Sequence, residues 1–276
     1  MQPNLVIIGD LAYERTVSQF GEYTNIGGSA FYAAIGAKAS NNENFIVIAS
    51  VGDDFCYSLF DELGISRDGI TCVPNQKTAK FVTTFVEDST ERLFSAEWGA
   101  IEYPNFETIL DYLNATIIYL AGSDPYRQLC WINLLHRVGY TGTIACDVFE
   151  KYCVERYSES TQVVEKSDII FMNEYEKELL CFDPTGYAKM SIVKLGPNGA
   201  YFVKRNGMKK VITPQIICNA SNTNGAGDIL AASYLSRIIA GCSEEEALQY
   251  AVDIATLSVS KAGVTHILPG REKNEA

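Results

Sequence analysis

The amino-acid sequence predicts an α/β protein in which a mainly parallel sheet is covered by helices on both faces. Two observations predict it. Short, unbroken apolar runs recur along the 276-residue chain, and runs without alternation are strands buried on both faces. Helical stretches separate most of those runs, and repeated strand-then-helix units build parallel sheets. Length alone suggests one or two domains, and a single α/β domain of this size is ordinary. With no convincing linker along the chain, residues 1–276 are read as a single unit.

Leu5–Ile8 is the first buried strand and ends at Gly9. Ser29–Ala39 is small, apolar and helical. Residues 45–49 form the second strand, and residues 54–63 read as a helix stopped by Gly64. Residues 116–120, 143–146 and 168–171 are further β-rich runs, with helices expected over Pro125–Arg137 and residues 174–180. Residues 191–195 and 200–203 flank Gly196-Pro197-Asn198-Gly199, which reads as a hairpin turn. The last third holds two strong helices. One covers residues 225–240, with apolar Ile229, Leu230, Leu235, Ile238 and Ile239, and stops at Gly241. Ser243 and Glu246 make a capping box for the other. That helix passes Leu248, Val252, Ile254 and Leu257, stops at Gly263, and is apolar nearly all round, so it is expected to be buried.

One region breaks the rhythm. Residues 80–86 and 92–97 read as polar, aromatic strands joined through Glu87-Asp88-Ser89-Thr90, with no helix between them. They form a hairpin outside the main sheet, either an ordinary surface hairpin or a lid.

Composition excludes several classes. With 47% hydrophobic and 20% charged residues, the chain is globular, not disordered, collagen-like or mucin-like. Lys and Arg number 22 against 34 Asp and Glu, a net charge of −12. That balance argues against nucleic acid as a partner, which needs a basic footprint, and against docking on an anionic membrane. It leaves anionic substrates open, because a local site or a bound cation reverses the local field. Residues 1–10 lack a positive n-region and a cleavage site, and no run of about 18 apolar residues suggests a membrane span. The eight cysteines are scattered without a C-x-x-C pair, which speaks against zinc and for reduced thiols in a cytoplasmic protein. The histidines, His136 and His266, are read as structural.

The sharpest chemical signal is Asn222-Thr223-Asn224-Gly225-Ala226-Gly227-Asp228, just before the penultimate helix. Glycines let backbone N–H groups approach a ligand closely. A helix N-terminus offers unsatisfied donors and positive dipole to a phosphate. Asp228 falls in the first turn, where a carboxylate could take a proton from an attacking hydroxyl or simply complement the dipole. The segment is neither a Walker A loop nor G-x-G-x-x-G.

This segment resembles the C-terminal signature D-T-x-G-A-G-D of ribokinase-like (pfkB) carbohydrate kinases. Other motifs of that family follow in its order over nearly the whole chain. Gly27-Gly28-Ser29-Ala30 is similar to the N-terminal diglycine motif, Val51-Gly52-Asp53-Asp54 to V-G-x-D, and Leu63-Gly64-Ile65 to the L-G-V/I after it. Residues 168–176 are similar to the N-x-x-E segment, and residues 194–200 to T-L-G-x-x-G-A. The resemblance implies a ribokinase-like three-layer α/β/α sandwich with a small β lid over residues 11–26 and 78–98. It implies transfer of the γ-phosphoryl of ATP to a hydroxyl of a sugar or sugar-like metabolite, with Mg²⁺ as the companion ion.

The resemblance also assigns roles. Asp228 would be the catalytic base, and Gly225, Ala226 and Gly227 the anion hole. Lys194, Gly196, Asn198, Gly199 and Asn224 would line the ATP site, where the alternative for the turn residues is a plain hairpin. Asn173 and Glu176 would hold Mg²⁺ through water, and would equally make a helix capping box. Asp10, Glu14, Gly27, Gly28 and Tyr32 would meet the substrate. The lid would exclude water, and its open edges suggest a homodimer. Four positions depart from the family pattern. Asn222 replaces an aspartate linked in some members to a monovalent cation, and Lys194 replaces a common threonine. Glu14 stands for the usual aspartate, and Tyr32 for an asparagine. A ring at Tyr32 would stack, which keeps a nucleoside open as acceptor. The departures also leave open a catalytically silent, metabolite-binding regulator.

Overall fold

The computed structural model describes residues 2–18, 21–85, 92–185 and 189–270. The chain begins with β1 (Leu5–Ile8), β2 (Ala12–Ser18), β3 (Gly21–Gly27), α1 (Ser29–Ala39), β4 (Phe45–Gly52), α2 (Ser58–Leu63) and β5 (Ile70–Val73). Strands β6 (Ala79–Phe85) and β7 (Arg92–Glu97) follow, then two short 3₁₀ segments, Gly99–Glu102 and Phe106–Tyr112. Next come β8 (Ile117–Leu120), α3 (Pro125–Arg137), β9 (Thr143–Asp147), α4 (Glu150–Glu155), α5 (Tyr157–Lys166), β10 (Ile169–Asn173) and α6 (Glu174–Leu179). The chain continues through β11 (Met190–Lys194), β12 (Ala200–Lys204), β13 (Lys209–Ile212), α7 (Ala226–Ile239) and α8 (Glu244–Ser258).

Nine strands form one sheet in the order β13-β12-β11-β10-β9-β8-β1-β4-β5. The run from β11 to β5 is parallel, and only β12 and β13 pair antiparallel. The period-2 alternation of strands divides the core. Leu5 and Ile7 face one side with α1, α7 and α8, while Val6 and Ile8 face the other with α3 and α5. The result is the expected α/β/α sandwich. On the first side α1 and α7 lie nearly in contact: a Cβ at Gly36 would sit 2.5 Å from the Ile229 carbonyl oxygen. The Ser233 hydroxyl of α7 donates to the Gly36 carbonyl at 3.1 Å. This close fit fixes where α7 begins, and therefore where Asp228 stands.

Strands β3-β2-β6-β7 form a separate small sheet, parallel only between β2 and β6. It occupies the 11–26 and 78–98 regions expected to lie apart from the main sheet. The expected turn through residues 87–90 lies outside the described residues. Among the described residues, no helix is long and apolar enough to cross a membrane.

Several boundaries differ from the sequence reading. The helix expected from residue 54 starts at Ser58, because side chains capture the segment before it. Thr78 donates to Asp54 Oδ1 from N and Oγ1 at 2.8 and 2.9 Å, and Tyr13 Oη accepts from Cys56 N at 2.8 Å. The last helix ends at Ser258 rather than near Gly263. There the Leu257 carbonyl meets His266 Nε2 at 3.0 Å and accepts from Ser260 Oγ at 2.7 Å. Strands β2 and β3 and helices α4 and α5 had no clear signal, since polar residues interleave their apolar ones.

Candidate active site

Strand ends and one helix start converge on a single region. The carboxyl ends of parallel strands are where open α/β sheets place their ligands. Here β9 ends at Asp147, β10 at Asn173 and β11 at Lys194. Helix α7 begins beside them with Asp228 in its first turn.

The loop into α7 is shaped for close approach. Asn222 Oδ1 accepts from Asn224 N at 3.0 Å, which folds the loop on itself. Gly225 adopts φ +72°, a left-handed conformation that glycine takes without strain. A Cβ there would collide with the Tyr32 ring. No side chain caps the helix, and the Ala226 N–H makes only a long 3.4 Å bond to the Thr223 carbonyl, so a helix start of this kind can turn N–H groups to an anion. Asp228 is partly exposed yet deeply surrounded by protein. Burial lifts its carboxyl well above the ordinary range; Asp147, Glu14 and Glu176 add to this, and Lys194 opposes it.

Lys194 and Asp147 form a buried ion pair. The lysine Nζ donates to Asp147 Oδ1 at 2.9 Å and Oδ2 at 2.7 Å. Burial works against the lysine charge, but Asp147 and Glu176 outweigh it and hold the amine protonated. Burial raises Asp147, against the pull of Lys194.

Asn173 and Glu176 form a reciprocal capping box. Asn173 N donates to Glu176 Oε2 at 2.7 Å, and Glu176 N donates to Asn173 Oδ1 at 2.8 Å. Burial lifts Glu176 to about 7. A buried carboxylate with one oxygen outside the cap suits a hard, oxygen-seeking cation. Among the described residues no cluster of three or more His, Cys, Asp or Glu could hold a metal ion.

The expected substrate residues divide into two groups. Glu14 on β2 accepts from Tyr32 Oη at 2.7 Å and from Asn224 Nδ2 at 2.6 Å. The Asn224 amide also donates to Thr16 Oγ1 at 3.2 Å. Asn224, expected at the nucleotide, therefore turns toward the small sheet. Tyr32, expected as a stacking surface, is buried against Gly225 and Phe31 and uses its hydroxyl on Glu14. Burial and the neighbouring Glu14 raise that phenol well above its ordinary pKa. Asp10 instead pairs with Arg127, at 3.1 and 3.3 Å, and burial raises its carboxyl against the pull of that cation. The diglycine serves both acids. A Cβ at Gly27 would collide with Glu14, and one at Gly28 with the Asp10 carbonyl.

The 196–199 turn behaves as a hairpin. Leu195 N donates to the Gly199 carbonyl at 2.8 Å. Gly199 has φ +90°, and a Cβ there would collide with the Ile212 carbonyl of β13. Gly196, Pro197 and Asn198 are exposed at this end of the sheet.

Three functional candidates escaped sequence reading. Asp147 sits at a strand end as Asn173 and Lys194 do, and that position was its signal. Arg127 lies in the first turn of α3 and has no motif. Tyr119 lies within an apolar strand, and its hydroxyl is fully buried.

A family model described as pfkB family carbohydrate kinase matches residues 14–271. The chain is 26% identical over 250 residues to the ATP-dependent ribose-1-phosphate kinase of Halopiger xanaduensis, covering 86% of this chain and 81% of that one. Its fold is similar to the Burkholderia thailandensis nucleoside kinase in complex with inosine, with TM-score 0.80, 17% identity, and 97% and 94% coverage. It is equally similar to Arabidopsis thaliana ribokinase complexed with ribose and ATP, with TM-score 0.79, 20% identity, and 99% and 97% coverage. The motifs, the sandwich and the match over most of its length agree: the chain belongs to the pfkB family of carbohydrate kinases.

Proposed function

We propose that this ATP-dependent kinase phosphorylates a hydroxyl of a sugar or sugar-like metabolite, with Asp228 as the base. The observation that carries the reading is the placement of Asp228 in the first turn of α7, directly after the uncapped Gly225–Gly227 start. Phosphoryl transfer depends mainly on positioning and on charge stabilisation. The N–H groups at residues 225–227 would hold the transferred phosphoryl. The raised pKa of Asp228 suits a base that takes a proton and later releases it. Asn173 and Glu176 would hold Mg²⁺, which supplies charge neutralisation to the phosphates when bound. Glu14 and Asp10 would address acceptor hydroxyls, and Gly196, Asn198 and Gly199 would border the nucleotide.

The small sheet would act as the lid, aligning the hydroxyl with Asp228 and excluding water. Its outer strands β3 and β7 would also be where a second copy adds. Micromolar protein running as a clean monomer in size-exclusion mass measurement would remove that dimer.

A nucleoside is the second reading, and one observation favours it. A chain of rings crosses from the small sheet to the main one. Phe81 meets Trp98 at 5.8 Å and Phe94 at 5.5 Å, and Phe94 meets Phe149 at 5.8 Å. Phe94 keeps 39% of its surface exposed there, so a base would stack on it rather than on Tyr32.

Coupled ADP release tests both readings, with ATP and Mg²⁺ against sugars, sugar phosphates and nucleosides. A strong acceptor whose turnover vanishes in Asp228→Asn is the expected result. Equal turnover in that variant would remove the base role.

A further inference from the structure

Tyr119, Asp147 and Lys194 form a buried group whose joint arrangement phosphoryl transfer does not yet explain. Lys194 and Asp147 keep only 16% and 4% of their side-chain surface exposed. The lysine Nζ also lies 3.0 Å from where a Cβ on Gly227 would be, so its charge sits against the start of α7. Tyr119 of β8 is in register with Ala145 of β9, two residues before Asp147 on the same face of the sheet. Its ring packs edge-on at 5.9 Å against Phe171, which is in register with Asp147, so its buried hydroxyl lies beside that carboxylate. Close as it lies to Asp147, that hydroxyl reaches full hydrogen-bond geometry with no group; it is one of three buried side-chain atoms among the described residues of which this is true. Buried polar groups are nearly always satisfied, and an exception calls for an explanation.

We propose that Lys194 changes partner during the reaction cycle, moving from Asp147 to the terminal phosphates of ATP while the Tyr119 hydroxyl takes its place on Asp147. The inference rests on the kinase reading above. Without nucleotide, Asp147 holds the lysine charge ready within reach of the anion hole. When the phosphates draw the lysine away, Asp147 would be left bare in the interior, which is strongly unfavourable. The waiting hydroxyl prevents this by donating to the vacated oxygen. No covalent bond changes, and each group keeps its proton. Asp147 and Tyr119 are positioning residues, since neither touches the nucleotide.

Calorimetry on the full chain tests the exchange, using Mg²⁺ with the non-hydrolysable ATP analogue AMP-PNP, with AMP as the control lacking terminal phosphates. Tyr119→Phe keeps the ring and deletes the hydroxyl. The expected result is AMP-PNP binding weakened about tenfold, AMP binding unchanged, and a nucleotide-free Tm that holds or rises. Lys194→Met should weaken AMP-PNP at least as much, with partial recovery in Lys194→Arg. A Tyr119→Phe protein with lowered Tm and wild-type AMP-PNP affinity would overturn the exchange and leave the kinase reading standing. Wild-type protein that binds neither nucleotide would overturn both.

Discussion

Glu14 and Asn224 stand 210 positions apart in the chain and are joined by a 2.6 Å hydrogen bond. The bond ties the small sheet to the loop that opens α7. Tyr32 completes the tie from α1. On the proposed reading, an acceptor that reached Glu14 would meet a carboxylate already bound to the proposed anion-hole loop, and its binding would be coupled to the phosphoryl site.

Tyr32→Phe tests that coupling with the ring packing preserved. Removing one donor from a buried carboxylate costs about 1–3 kcal/mol. Chemical denaturation should show that loss, and the acceptor KM should rise several-fold while the ATP KM changes little. Unchanged stability and unchanged acceptor KM would mean the hydroxyl contributes nothing to holding Glu14.

Gly225→Ala and Gly241→Ala separate backbone strain from collision. Both glycines have positive φ, +72° and +87°. Nothing lies within 4 Å of a Cβ at Gly241, whereas one at Gly225 strikes the Tyr32 ring. Gly241→Ala should cost about 1 kcal/mol from conformation alone. Gly225→Ala should cost clearly more and reduce turnover sharply, because Tyr32 and the first turn of α7 must shift. Equal unfolding midpoints for the two variants would contradict this.

Asp228→Asn should lower kcat by about 10²–10⁴-fold, the usual contribution of a positioned base, and leave nucleotide binding intact. It should also raise the Tm of the nucleotide-free protein near pH 8. Burial first, then Asp147, raises the folded-state pKa of Asp228 above its unfolded value. Its stabilising contribution is therefore full below the unfolded value and is lost as pH rises through the folded one. An amide escapes that loss. The same shift places the acid limb of the wild-type kcat/KM profile above the ordinary carboxylate range. A limb near pH 4 would rule out Asp228 as the group that titrates.

Arg127→Met should destabilise by about 3–5 kcal/mol, because it leaves Asp10 buried without its cation. Adding Asp10→Asn should recover most of that loss. A double-mutant cycle in urea measures the coupling, and strictly additive losses would show that the pair does not act as a unit.

The main sheet was legible in the sequence because its strands are buried on both faces. Leu5–Ile8 and Ile117–Leu120 are unbroken apolar runs, and no other structure buries such runs as simply. The small sheet was legible only in part. Strand β3 is mostly exposed, so its sequence carries little apolar pattern. The α7 loop was legible because glycine spacing and a helix start are local properties. Arg127 was not, because it carries no motif, and Asp147 showed only its place at a strand end, which does not reveal Lys194 as its partner.

The sequence by itself determined the layered α/β architecture, the family motifs and the position of Asp228 at a helix start, all properties of neighbouring residues. The tertiary structure alone decided the partners: Asn224 with Glu14, Arg127 with Asp10, Lys194 with Asp147, and Tyr32 against Gly225. The reason is physical. Burial makes an unpaired charge costly, so each acid had to find a donor. The crossover connections, not the local chain, determine which donor lies within reach.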